Sequence, residues 1–122
     1  MTGKEHAEFD LPVEFKTTNP IYMLNVLWFN PEGGLQKYQE YSQAAMPFIQ
    51  KYGGRPFTPL LQPQETLIGE LDADLVFIIQ FPSQEHFQQL LADPKFQQVS
   101  LLRDEALTKS LLVQCSTGDL AG

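Results

Sequence analysis

The chain has one cysteine, Cys115, and two histidines, His6 and His86. A lone cysteine excludes an intrachain disulfide. It closes the apolar run Leu111-Leu112-Val113-Gln114-Cys115 and reads as a small strand residue. A nucleophilic thiol would need a histidine and a carboxylate beside it, and nothing local supplies them. Basic residues are scarce: eight Lys and Arg against fifteen Asp and Glu leave a formal net charge of −7 and no basic cluster. That balance argues against binding a nucleic-acid backbone or an anionic membrane surface. No apolar run approaches the length of a membrane span, and the first ten residues lack the apolar centre of a secretion signal. The expectation is a cytoplasmic protein with neither nucleic acid nor membrane as partner.

Reaction and metal motifs are missing as well. One histidine in the folded part, with no ligand spacing around it, makes neither a zinc site nor a non-haem iron triad. The acidic run Glu70-Leu71-Asp72-Ala73-Asp74 lacks the twelve-residue calcium loop and reads as a solvated turn. Gly53-Gly54 ends a helix instead of opening one, so its donors face the wrong way for a phosphate. No metal and no cofactor are expected.

What the sequence does have is apolar mass. It is 43% hydrophobic over 122 residues, with nine Phe and four Tyr, enough for one domain with a core able to line a cavity. Residues 1–20 read as an extension, with an edge strand possible where Phe9, Leu11, Val13 and Phe15 alternate. The domain spans 21–116 and a tail follows at 117–122. Ile21 to Phe29 is nearly all apolar and predicts a strand covered on both faces, with Asn25 as the exception. Asn30-Pro31-Glu32 predicts a helix start, and the helix runs to about Tyr52. Leu35, Tyr38, Tyr41, Ser42, Ala45, Phe48, Ile49 and Tyr52 form its apolar face. Pro47 should kink it, and Gly53 should take the left-handed cap.

Residues 55–62 and 65–70, broken by Pro56, Pro59 and Pro63, predict one bent edge strand or two short ones. Leu75 to Phe81 is the strongest strand. Ser83 caps a short helix, Asp93-Pro94 opens another that runs to about Leu107, and Lys109 to Cys115 is the last strand. The order β-α-β-β-α-α-β reduces to the split β-α-β-β-α-β pattern: an α+β, ferredoxin-like antiparallel sheet with helices on one face. Neither set of alternating positions in the first strand is polar, so the uncovered face must meet something. A second copy of the chain, packed sheet against sheet, is the economical partner.

Lys51-Tyr52-Gly53-Gly54-Arg55-Pro56-Phe57, Phe81-Pro82-Ser83, Asp93-Pro94-Lys95-Phe96 and Leu102-Arg103, in that order and spacing, resemble the bacterial family of domain of unknown function 1330. The resemblance covers roughly residues 20 to 116. It implies a dimeric α/β barrel and no established reaction. Superfamily relatives include monooxygenases, isomerases, decarboxylases and haem-degrading enzymes, so fold alone selects no chemistry. The family tends to have an aromatic near Leu90, a serine at Asp93 and a tyrosine at Phe96. This chain departs at all three, which implies a less polar pocket.

Arg103 is the leading functional candidate. Phe96, Val99, Arg103, Ala106 and Leu107 fall in one helix sector about 80° wide, so the guanidinium sits among side chains that face the sheet. A guanidinium keeps its charge and needs an anion or several carbonyls. It either holds the carboxylate of a ligand, pairs with Glu70, Asp74 or Glu105, or reaches water along its stem. His86 lies at the edge of its helix's apolar face, as a solvated residue or as a general base at the cleft mouth. Tyr38 and Tyr41 are core rings whose hydroxyls need partners. Asn25, Tyr41, His86 and Arg103 are the expected polar lining of a cleft, with Arg103 and Asn25 binding and His86 or Tyr41 moving a proton. Two classes of function follow: a metal-free binder or transformer of a small organic acid, or a non-catalytic dimeric binding or regulatory module.

Overall fold

A computed structural model describes residues 19–117. The expected extension at 1–20, with its edge strand, lies outside the described residues save for Asn19 and Pro20, and so does most of the tail. The elements run β1 (Ile21–Phe29), α1 (Gly34–Lys51), β2 (Arg55–Pro56), β3 (Leu75–Phe81), α2 (Gln84–Ala92), α3 (Pro94–Ala106) and β4 (Leu107–Cys115). The four strands form one sheet in the order β2-β3-β1-β4, and every neighbouring pair is antiparallel. This is the α+β, ferredoxin-like arrangement that the element order predicts.

Register sorts the sheet into two faces. Asn25 stands opposite Phe77 on one side and Leu112 on the other, so these three point the same way. Ile21, Met23, Leu27, Leu75, Phe77 and Phe81 share that direction and pack under the helices with Tyr38, Tyr41, Ala45, Ile49, Phe87, Leu90 and Phe96. The opposite face carries Leu24, Val26, Val76, Ile78, Leu111 and Val113, with Tyr22 and Trp28 toward its ends. Leu111 and Val113 are 46% and 43% exposed.

Helix boundaries follow local chemistry, with one correction. The first helix starts at Gly34, not at Pro31. Glu32 N–H donates to Asn30 Oδ1 (3.0 Å), so the asparagine closes a turn of its own instead of capping the helix. Gly33 at φ 79° then blocks helical propagation from that turn. Leu35, expected on the buried face, is 56% exposed in the helix's first turn. The helix runs unbroken through Pro47. Its end is the expected glycine stop: Gly53, at φ 85°, donates to Gln50 O (3.0 Å), and Gly54 donates to Ile49 O (2.8 Å). These two bonds satisfy carbonyls that the helix leaves open. Ser83 caps α2, and Asp93 caps α3 with Pro94 at the first position.

The proline-broken segment is the second correction. Only Arg55–Pro56 forms a strand, with an isolated bridge from Leu61 to Val76, and residues 65–70 pair with nothing in the sheet. Pro56, Pro59 and Pro63 each lack the N–H a ladder needs. The segment instead lays Phe57 edge-on against Tyr22, at 4.8 Å between ring centres. Beyond it Leu67 and Ile68 are 84% and 96% exposed.

Candidate functional site

α1 and α3 lie antiparallel across the sheet. At one end Asn30 N–H donates to Ala106 O (2.8 Å), beside the start of α1. At the other end the Tyr52 hydroxyl donates to Asp93 Oδ2 (2.8 Å), and the Phe48 and Phe96 rings meet at 6.2 Å. Between these ties the helices stand off the sheet and leave a cavity of about 330 Å³. Its wall is mostly hydrocarbon, drawn from Met23, Ile49, Ile79, Phe81, Phe87, Leu90, Leu91, Phe96 and Leu112. Its polar members are Asn25, Tyr41, Gln97, Ser100 and Arg103.

Three of the four expected polar residues therefore share one cavity: Asn25, Tyr41 and Arg103. His86 does not. Its Nδ1 lies 2.7 Å from Ser83 Oγ, which also accepts the His86 backbone N–H (3.3 Å), so the imidazole is tied into the helix cap. Its ring lies beside Gly53, where Pro82 also packs, and His86 is not among the residues that line the cavity. An edge position on a helix does not say which neighbour the side chain will choose, and here the cap serine is nearest. Asn25, expected beside the tyrosines, uses its amide to donate to Met23 O (3.1 Å), so this buried polar group is satisfied locally.

The three carboxylates expected to pair with Arg103 turn elsewhere among the described residues. Glu105 faces Lys37 at 3.7 Å, Asp74 Oδ2 accepts the Phe29 N–H (2.8 Å), and Glu70 is exposed. Arg103 meets the hydroxyl of Tyr38 through a side-chain hydrogen bond. Its Nη2 is buried and has no hydrogen-bond partner among the described residues.

The tyrosines are protonated donors. Burial pushes the Tyr38 hydroxyl well above the usual phenol range, and Tyr41 adds to this, against the opposing pull of Arg103. Tyr41 is raised too, first by burial, with Arg103 opposing and Asp104 reinforcing. At neutral pH Tyr41 can donate a hydrogen bond or a proton but cannot act as a base.

Two lining residues went unread in the sequence. Ser100 is buried and spends its hydroxyl on Gln97 O (2.8 Å), and Gln97 Nε2 donates to Leu91 O (2.9 Å). Ser100 stands three residues before Arg103 and four after Phe96, so helical spacing alone could have found it. Gln97, beside Gln98 and close to Lys95, reads as a surface residue. Among the described residues no group of three or more His, Cys, Asp or Glu is gathered to hold a metal ion. No helix among them is long and apolar enough to cross a membrane.

The family model described as Domain of unknown function (DUF1330) matches residues 34–114. Among solved structures, a protein of unknown function from Rhodopseudomonas palustris is 26% identical with a TM-score of 0.77, over 85% of this chain and 86% of that one. A dimeric ferredoxin-like protein of unknown function from Jannaschia sp. CCS1 is 13% identical, TM-score 0.63, over 81% of this chain and 100% of that one. SnoaB, a cofactor-independent oxygenase from Streptomyces nogalater, is 19% identical in a mutant form, TM-score 0.61, over 85% and 99%. These last two likenesses are of fold alone. No curated protein matches the chain.

Proposed function

The chain belongs to the DUF1330 family, whose description assigns no reaction, and from the cavity itself we propose that it binds a small organic acid. The ligand's carboxylate meets Arg103, and its body fills the space between helices and sheet. The observation that carries this reading is the buried Nη2 of Arg103, left without a hydrogen-bond partner on a residue that lines a 330 Å³ cavity. A buried N–H on a charged group costs more than about 1–3 kcal/mol when unpaired, so a site that keeps one is suited to an incoming acceptor. A carboxylate supplies two acceptor oxygens to the planar guanidinium. Asn25, Tyr41 and Ser100 border the same space, and the protonated Tyr41 phenol can donate to the bound anion. With His86 held by Ser83 and Tyr41 unable to act as a base, capture of the acid is the primary reading and turnover the second. Proton donation from Tyr41 is what favours that second reading. The alternatives are a binding or regulatory module on one side and a metal-free enzyme on the other. The net charge of −7 leaves no place for a nucleic acid or an anionic membrane as partner in either, and the setting is cytoplasmic.

The test is a thermal-shift screen against small carboxylic acids with the parent chain and Arg103→Ala. A ligand at one hundred times its Kd should stabilise the parent by about 2.7 kcal/mol and the variant far less. Equal shifts in both, or none in the parent, would remove the site.

The assembly proposed with it is a homodimer through the outer sheet face, residues 21–116 forming the unit that pairs. Leu24, Val26, Val76, Ile78, Leu111 and Val113 make that face apolar, and Phe57 and Leu61 continue it. The Jannaschia relative is described as dimeric. Leu111→Lys with Val113→Lys should give a monomer by light scattering, and an unchanged mass would refute the interface.

A further inference from the structure

We infer that the acid is a monocarboxylate with an apolar chain of medium length, held lengthwise with its head at Arg103 and its tail toward Phe96. This rests on the organic-acid reading above and narrows it.

The cavity is polarised along the helices. α1 and α3 run antiparallel, so Tyr41 and Arg103 stand toward the Ala106 end. Asn25 stands midway along β1, between Ile21, which pairs with Phe81, and Phe29, which pairs with Leu107 beside Ala106. Ile49, Phe81, Phe87, Leu90 and Phe96 gather at the far end, near the tie between Tyr52 and Asp93. Between Arg103 and Phe96 the seven residues of α3 span roughly 10 Å at 1.5 Å per residue.

Charge sets the head count. Among the described residues Arg103 is the one cationic residue of the lining, and none of them there is acidic. A second carboxylate would have to sit among Phe and Leu side chains, where an unpaired charge is strongly disfavoured. Gln97, the remaining polar group toward the far end, already donates to Leu91 O. An uncharged or cationic tail head finds no partner there either. The far end therefore selects hydrocarbon.

The experiment is isothermal titration of the parent and of Arg103→Met with acetate, butanoate, hexanoate, octanoate, succinate and octan-1-ol, all below micelle-forming concentration. Each methylene buried should raise affinity about fourfold, the equivalent of about 0.8 kcal/mol. Octanoate should then bind the parent about two hundredfold more tightly than butanoate. Octanol should bind the parent at least tenfold more weakly than octanoate, and Arg103→Met should erase that gap. If succinate or acetate binds as tightly as octanoate and needs Arg103, the chain-length inference falls while the organic-acid reading stands. If octanol matches octanoate in the parent, or no acid binds, the organic-acid reading falls too. The comparison of octanol with octanoate uses the parent alone, so it decides even if the variant folds poorly.

Discussion

Replacing Arg103 by methionine should leave the ligand-free protein about as stable as the parent. Two effects oppose each other. The substitution loses the bond from the guanidinium to the Tyr38 hydroxyl, a hydrogen bond with one charged member, which contributes about 1.5–3 kcal/mol. It also removes the buried Nη2 that has no partner, which relieves about 1–3 kcal/mol. Methionine keeps an unbranched apolar stem in the space the arginine stem occupies. The net change should lie within about 2 kcal/mol of zero. An arginine serving as half of a buried structural ion pair behaves differently, because its loss strands a carboxylate and costs about 3–5 kcal/mol. For a chain of this size 1 kcal/mol corresponds to roughly 4 °C in Tm. The functional arginine thus predicts a shift within about 8 °C, and the structural arginine a fall of more than about 12 °C. Scanning calorimetry at one fixed protomer concentration measures it, since a dimer's Tm depends on concentration. A fall above 12 °C would show that Arg103 holds the fold together, and the reasoning from its unpaired nitrogen would be refuted.

Three further outcomes follow from the same geometry. Gly54→Ala places a Cβ 2.5 Å from Ile49 Cγ2 and 2.7 Å from Phe81 Cε2, both on cavity residues; overpacking should cost about 1–3 kcal/mol in urea unfolding and weaken octanoate binding, and an unchanged affinity would contradict the lining. Leu27→Ala, at a residue 0% exposed and off the cavity wall, should cost about 2–5 kcal/mol by the same measurement while leaving the affinity of the folded variant within about threefold. Asp93 is held below its ordinary carboxylate value first by the Tyr52 hydroxyl, then by the Lys95 and Phe96 N–H groups and by Lys51, against the opposing effect of burial. A lowered folded value means that its stabilisation is complete above the ordinary 3.8 and is lost as pH falls through the folded value. Asp93→Asn keeps a cap oxygen without the charge, so its Tm should fall less between pH 7 and pH 3 than the parent's; equal falls would refute that role.

Much of the architecture was legible because local rules and burial agree here. The run from Ile21 to Phe29 could only be a strand with two apolar faces, Ser83 and Asp93-Pro94 open helices by capping chemistry that needs no distant partner, and Gly53-Gly54 stops one for the same reason. Local rules failed where two of them competed. Asn30 could cap a helix or close a turn, and the left-handed Gly33 decided for the turn. Residues 65–70 carry strand formers, but the prolines before them remove the donors that would dock them to β3.

The same division runs through the site. By itself the sequence determined that a cation stands on the sheet-facing side of the last helix, because helical spacing alone puts Arg103 in line with Phe96 and Val99. It also set the element order that reduces to the split β-α-β-β-α-β pattern. Only the tertiary structure decided that Glu105 turns to Lys37 and Asp74 to the Phe29 amide, leaving part of the guanidinium unpaired. It decided too that His86 belongs to Ser83 and that Gln97 reaches the cavity. Spacing fixes which way a side chain leaves its own element, whereas its partner depends on how far apart separate elements come to rest.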